Sequence, residues 1–209
     1  PDQAAIVMTV EKTDKPIKIG AGGPKGTKFS IDWGDGNKVE YEGAKNVTNT
    51  PLGNTIKVYG DNLLVLLVDN IGLTALDVTN APKLSRISCS NNKLTELDVQ
   101  HQKNLFWLTC SGNELTKLDL SHNPSVVWLK CSRNKLTQLD LSAQKALQML
   151  YCDHNQISEL KITNYAGLQG LFLQNNMMPV AALNSLIKAL PDVSKVEVHD
   201  NNREWAKQL

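Results

Sequence analysis

From Leu63 onward the apolar positions recur every 21 residues, a period marked by four cysteines at Cys89, Cys110, Cys131 and Cys152. One unit reads Leu84, Ile87, Cys89, Asn92, Leu94, Leu97, Asp98 and Val99, and the next reads Leu105, Leu108, Cys110, Asn113, Leu115, Leu118, Asp119 and Leu120. A third holds Val126, Leu129, Cys131, Asn134, Leu136, Leu139, Asp140 and Leu141, and a fourth Leu147, Leu150, Cys152, Asn155, Ile157, Leu160, Lys161 and Ile162. Weaker copies flank these: Ile71 takes the asparagine position upstream, and Leu168, Leu171, Leu173 and Asn176 keep the frame downstream. A fixed period of this length predicts a solenoid. Each unit is too short to bury its own apolar side, so coils stack and share one continuous core. Alternation from Leu84 to Cys89 predicts a short strand with Ile87 and Cys89 inward and Arg86 and Ser88 outward, and successive strands form a parallel sheet. The asparagine column has a structural reason, since an inward amide satisfies backbone groups that a turn leaves unpaired.

Residues 1–60 lack the repeat. They read as short alternating strands, Ala5–Val10, Ile17–Ile19, Lys28–Asp32, Lys38–Tyr41 and Thr55–Tyr59, separated by turn-rich stretches at Gly20–Pro24 and Gly34–Asn37. The expectation is a small all-β module that caps the solenoid end at Leu63. Residues 61–209 are read as the repeat domain with its own C-terminal cap. That cap begins with an apolar stripe at helical spacing, Val180, Leu183, Leu186, Ile187 and Leu190, between Pro179 and Pro191. A strand from Val193 to Val198 follows, and Trp205 is expected to pack against the last coil.

The repeating unit resembles the leucine-rich repeat signature with cysteine at the third leucine position, over six coils between about residues 63 and 188. Its short form is similar to internalin-type repeats of bacterial surface proteins, and the cysteine-bearing form to repeats of exported Bacteroidetes proteins. The segment Ile31-Asp32-Trp33-Gly34-Asp35-Gly36 resembles the hairpin of PKD-like, immunoglobulin-type modules. These resemblances imply an α/β solenoid that is mostly β: a right-handed leucine-rich repeat solenoid with one parallel sheet, an N-terminal all-β cap and a C-terminal helical cap. They also imply an extracellular or outer-surface location.

At 41% hydrophobic and 21% charged residues, the 209-residue chain has the make-up of a folded, soluble protein, and no apolar run reaches membrane-spanning length. A formal charge of +1 gives no pull toward nucleic acid. The chain begins Pro1-Asp2 without a methionine or an apolar leader, so a preceding segment holding an export signal, and in one alternative a lipid anchor, is expected. A monomer is expected. The equal spacing of the cysteines points to a ladder of buried thiols rather than disulfides or a tetrahedral metal site.

No motif of catalysis is present: there is no G-x-S-x-G elbow, no phosphate-binding glycine loop and no H-E-x-x-H pair. The chain is therefore read as a non-enzyme with no cofactor. Asp32 and Asp35 are read as turn formers rather than calcium ligands, and His101 and His122, one period apart, as turn residues without a third ligand.

Function is then sought on the outward strand positions. Their columns read Arg86, Trp107, Trp128, Met149 and Gly170, and Ser88, Thr109, Lys130, Tyr151 and Phe172, with Phe106 alongside. The candidate ligand-binding residues are Arg86, Phe106, Trp107, Trp128, Lys130, Met149, Tyr151 and Phe172. Two readings stay open: a binding module that presents a concave aromatic face to a protein or a glycan, and a structural spacer whose aromatics only brace the sheet.

Overall fold

The structure, a computed structural model, describes residues 3–190 and the strand Glu197–His199. Before Gly60 lie β1 (Ile6–Val10), β2 (Ile17–Gly22), β3 (Lys28–Asp32), β4 (Lys38–Glu42), β5 (Lys45–Asn49) and β6 (Thr55–Tyr59). The repeats supply β7 (Val65–Leu67), β8 (Leu73–Asp77), β9 (Arg86–Ser88), β10 (Trp107–Thr109) and β11 (Trp128–Lys130). They continue with β12 (Gln138–Leu141), β13 (Met149–Tyr151), β14 (Glu159–Ile162) and β15 (Gly170–Phe172), followed by the helix α1 (Val180–Ala189) and β16 (Glu197–His199).

The parallel strands pair one repeat apart, so Trp107 stands opposite Arg86 on one side and Trp128 on the other. The run β7–β9–β10–β11–β13–β15 makes a mostly-β solenoid of about five turns. Inward positions are sealed: Leu84, Ile87, Leu105, Leu108, Val126, Leu129, Leu147 and Leu150 are all 0% exposed, as are the four cysteines. Burial raises all four thiols above the ordinary cysteine range, so they stay protonated.

The expected single parallel sheet is in fact part of a mixed one. The nine-stranded sheet continues past β7 into antiparallel β2 and β5, and a separate two-stranded parallel sheet joins β12 to β14. A second N-terminal sheet, ordered β4-β3-β6-β1, runs on into β8 of the first coil. Both N-terminal sheets therefore hydrogen-bond into walls of the first coil. The glycine-rich stretch read as a turn is the end of β2. A Cβ on Gly20 would lie 2.9 Å from the Leu67 Cβ and 2.7 Å from the Asn46 Oδ1, and one on Gly22, where φ is +125°, would lie 2.0 Å from the Gly43 carbonyl oxygen. Those glycines let neighbouring strands approach as closely as they do.

Between coils, the asparagine column forms a ladder. Asn134 Nδ2 donates to the carbonyls of Cys110 and Cys131, each at 3.0 Å, and its Oδ1 accepts from the Leu115 N–H at 3.0 Å. Asn92, Asn113, Asn155 and Asn176 repeat the arrangement. A second ladder, absent from the sequence reading, uses Gln102, Asn123 and Gln144. Their amide nitrogens donate to pairs of carbonyls on the preceding coil, such as Leu120 and Asn123 for Gln144. Just after each inward strand position a residue turns left-handed: Asn70, Asn91, Arg133, His154 and Asn175 have φ of 54–56°, and Gly112 has 67°.

In the N-terminal hairpin, Asp32 Oδ1 accepts from the N–H groups of Gly34 (2.8 Å) and Gly36 (3.0 Å), which occupies it as a turn former. Hydrogen bonds from Asn37 hold the Asp35 carboxyl below the usual range. At the other end α1 starts after Pro179 and buries Leu183 and Leu186. The first part of the strand expected from Val193, and Trp205, lie outside the described residues; β16 begins at Glu197. No helix among the described residues is long and apolar enough to cross a membrane.

Candidate functional site

Period-two alternation turns the side chains at the two outer positions of each parallel strand away from the core. On β10 and β11 these include Trp107 and Trp128, whose ring centroids lie 4.5 Å apart with planes inclined by 2°. That is an offset stack, dictated by a parallel register that places the same column on adjacent strands about 4.8 Å apart. Tyr151 and Phe172 stack in the neighbouring column at 4.1 Å and 6°, and Tyr151 tilts toward Trp128 at 6.1 Å. Four of the candidate residues thus form one continuous aromatic strip across β10, β11, β13 and β15.

Two cations dress it. The Arg86 guanidinium sits 4.8 Å from the Trp107 ring centroid, and the Lys130 ammonium sits 4.5 Å from Tyr151 and 5.5 Å from Trp128. Trp107 therefore has Arg86 on one face and Trp128 on the other. Trp128 is flanked by Trp107 on one side and by Tyr151 and Lys130 on the other. The faces of both indoles are thus covered, and the Trp128 Nε1 edge is buried without a hydrogen-bond partner among the described residues. The members of the strip are half-buried, whereas Phe106, just before β10, is 44% exposed. Met149, opposite Trp128 in register, reaches over Gly170, where a Cβ would come within 2.5 Å of its terminal methyl. All eight sequence-picked residues lie on this wall of the solenoid, on β9, β10, β11, β13 and β15 or immediately before β10.

The Ser88 column, expected to be open along its whole length, is closed over its first half. Ser88 and Thr109 are 8% and 9% exposed. Their hydroxyls lie 2.6 Å apart, and Ser88 Oγ donates to both carboxylate oxygens of Asp69 at 2.8 Å. Asp69 also accepts from the Ser90 N–H at 2.6 Å. At the other end Asp153 accepts from Ser132 Oγ at 2.5 Å and contacts His154 Nδ1 at 2.7 Å, while His154 Nε2 lies 2.7 Å from Asn175 Nδ2. These polar residues follow the strands, and the mixed identities in their columns hid them from a search for repeated types.

A groove of about 330 Å³ lies beside β12 and β14, lined by Lys117, Asp119, Gln138, Asp140, Glu159 and Lys161 among others. Its charges are partly matched internally, with Lys161 3.3 Å from Glu159 and 4.0 Å from Asp140. Hydrogen bonds from Ser121 and Ser142 depress the Asp119 and Asp140 carboxyls, so both serve turns. His122 Nδ1 lies 3.1 Å from Ser121 Oγ in the same turn.

No protein-family model and no curated protein matches this sequence. Among solved structures, a leucine-rich repeat protein of Leptospira interrogans is similar at 30% identity and a TM-score of 0.61, over 66% of this chain and 37% of its own. The functional domain of InlJ from Listeria monocytogenes, which includes a cysteine ladder, is similar at 26% identity and a TM-score of 0.50, over 73% of this chain and 42% of its own. The chain thus spans less than half the length of either. In this chain Cys89, Cys110, Cys131 and Cys152 are buried on successive coils, one period apart. The structural neighbours of this mostly-β solenoid are leucine-rich repeat proteins.

Proposed function

We propose that this chain is a non-catalytic protein-binding module, acting outside the cell or at its surface, whose docking site is the aromatic strip on the outward wall of the nine-stranded sheet. The observation that carries this is the continuous series Trp107, Trp128, Tyr151 and Phe172, set in register on four adjacent strands with Phe106 exposed beside it. Aromatic and arginine side chains dominate interface energetics, and exposed apolar patches mark interaction sites. Protein is favoured over glycan as the ligand because sugar rings stack on free aromatic faces, and the faces of Trp107 and Trp128 are already covered.

That same self-packing favours a second reading, a spacer in which the stacked rings only brace the sheet. An array of secreted and surface proteins beside an array of glycans, probed with the parent and with Trp107→Ser/Trp128→Ser, separates the two. The module reading expects protein hits that the double variant loses while its circular dichroism spectrum and melting cooperativity persist. Hits that survive the double substitution would refute the strip as the site, and a variant that loses stability with no parent binding to lose would support the spacer.

A further inference from the structure

On the proposal that the strip is a docking site, we infer that its partner is a protein segment that is acidic at one end and apolar at the other, laid across the strands. Twelve positions on β7, β9, β10, β11, β13 and β15 turn away from the core, Val65, Arg86, Trp107, Trp128, Met149 and Gly170 in one column and Leu67, Ser88, Thr109, Lys130, Tyr151 and Phe172 in the other, with Ser88, Thr109 and Gly170 closed over by their neighbours. They include two cations and no carboxylate. Neither Arg86 nor Lys130 has a carboxylate within ion-pair distance among the described residues; each rests on aromatic rings alone.

Some lysines elsewhere pair with carboxylates, whereas Lys38, like Lys130, rests on an aromatic ring, 3.9 Å from the Tyr59 centroid. Lys135 pairs with Glu114 of the preceding coil at 2.8 Å, Lys93 with Glu11 at 2.6 Å, and Lys161 with Glu159 at 3.3 Å. The repeat array places a carboxylate one coil away from Lys135, and among the described residues it gives none to Arg86 or Lys130. The two nearby carboxylates, Asp69 and Asp153, are already engaged by serine hydroxyls and by the Ser90 N–H or His154. Both aspartates keep their charge but spend their hydrogen bonding on those donors, so Arg86 and Lys130 are left without an ion-pair partner among the described residues. Ring stacking holds the two cations above the apolar surface where desolvation strengthens them.

The charges are also placed unevenly. Arg86 and Lys130 are two strands apart on offset positions, so their Cα atoms are separated by roughly 12 Å. Beyond them, Met149, Tyr151 and Phe172 carry no charge. Crossing from β9 to β15 covers about 19 Å, the reach of roughly six extended residues. A matching segment sets two carboxylates over β9–β11 and large apolar side chains over β13 and β15, which fixes its direction as well as its composition.

The test is selection of a random peptide library of about ten residues per member on the immobilised protein, long enough to cross the wall. The parent is expected to enrich peptides with at least two acidic residues preceding or following an apolar cluster, and their affinity should fall about tenfold between low and high salt. Arg86→Glu/Lys130→Glu should weaken those peptides about tenfold or more and shift selection toward basic–apolar sequences. A parent pool without acidic enrichment overturns the inference, as do acidic peptides that the charge reversal leaves unchanged. Trp107→Ser/Trp128→Ser keeps the two failures apart. Peptides that need the tryptophans but ignore the charges retain the docking strip and remove its acidic partner. Peptides indifferent to both sets remove the strip as well.

Discussion

Replacing Asn134 with alanine takes four hydrogen bonds out of the middle of the stack, and the structure shows how unevenly that loss falls. The weakest is a 3.4 Å donation to the Ser132 carbonyl, which keeps its bond from the Gly112 N–H. The carbonyl of Cys110 keeps its bond from Asn113, and that of Cys131 keeps its bond from Asn155, each at 3.0 Å. The Leu115 N–H, by contrast, loses the Asn134 Oδ1 at 3.0 Å and is left buried with no partner. An orphaned buried donor costs about 1–3 kcal/mol, and weakening two carbonyls adds a few tenths each, for a total of about 2–4 kcal/mol. In a chain of this length that lowers Tm by roughly 5–15 °C. Thermal and urea unfolding followed by circular dichroism give the total, and amide exchange at Leu115 locates it, since that N–H should become the most accelerated in the coil. Asn134→Asp sharpens the argument: it restores an acceptor for Leu115 but aims a carboxylate at two carbonyls, so it should be at least as harmful as alanine. A loss below about 0.5 kcal/mol for alanine, or an aspartate variant as stable as the parent, would refute the ladder as a source of stability.

The buried cysteines predict an alkaline weakness. Their folded-state values are raised by desolvation, so their contribution is fully present below the unfolded value near pH 8.5 and is lost as pH rises through the folded values. By pH 9.5 each thiol costs about 1.4 kcal/mol, roughly 5–6 kcal/mol for four; urea unfolding at pH 7.5 and 9.5 should show the drop, and a variant with all four changed to alanine should not. Arg133 holds a φ of 55° that suits glycine or asparagine, so Arg133→Gly should raise stability by about 0.5 kcal/mol, and a measured loss would mean its side chain contributes more than the strain costs. Deleting residues 1–60 strips the antiparallel partners from β7 and β8 and uncovers the buried Leu63, so the truncated chain should aggregate or unfold, and a stable monomer by sedimentation would contradict a capping role.

The periodic part of this fold is legible because every coil repeats the same local problem. Ile87, Leu108, Leu129 and Leu150 could be assigned inward before any coordinates, since alternation and a fixed period leave one consistent solution, and Trp107 and Trp128 followed as outward neighbours. What escaped was set by partners distant in sequence. β5 has no strong alternation of its own and exists because β2 lies beside it, while Gly20–Gly22 looked like punctuation because glycine marks turns more often than close strand contacts. Left-handed turn residues drawn from Asn, Gly, Arg and His share a backbone angle rather than a chemistry, so no column of like residues betrayed them. The second amide ladder mixes Gln and Asn and was hidden in the same way.

The candidate strip shows the boundary most sharply. Column membership was readable, because it depends only on the period, but ring orientation was not. Whether Trp107 offers a face or an edge depends on where Arg86 and Trp128 place their own side chains, and that is settled by contacts along the solenoid axis. That difference changes the chemistry expected of a ligand. Free indole faces would invite flat sugar rings, whereas covered faces beside two cations that have no ion pair among the described residues suit a polypeptide that brings its own carboxylates and buries its apolar side chains beside Tyr151 and Phe172.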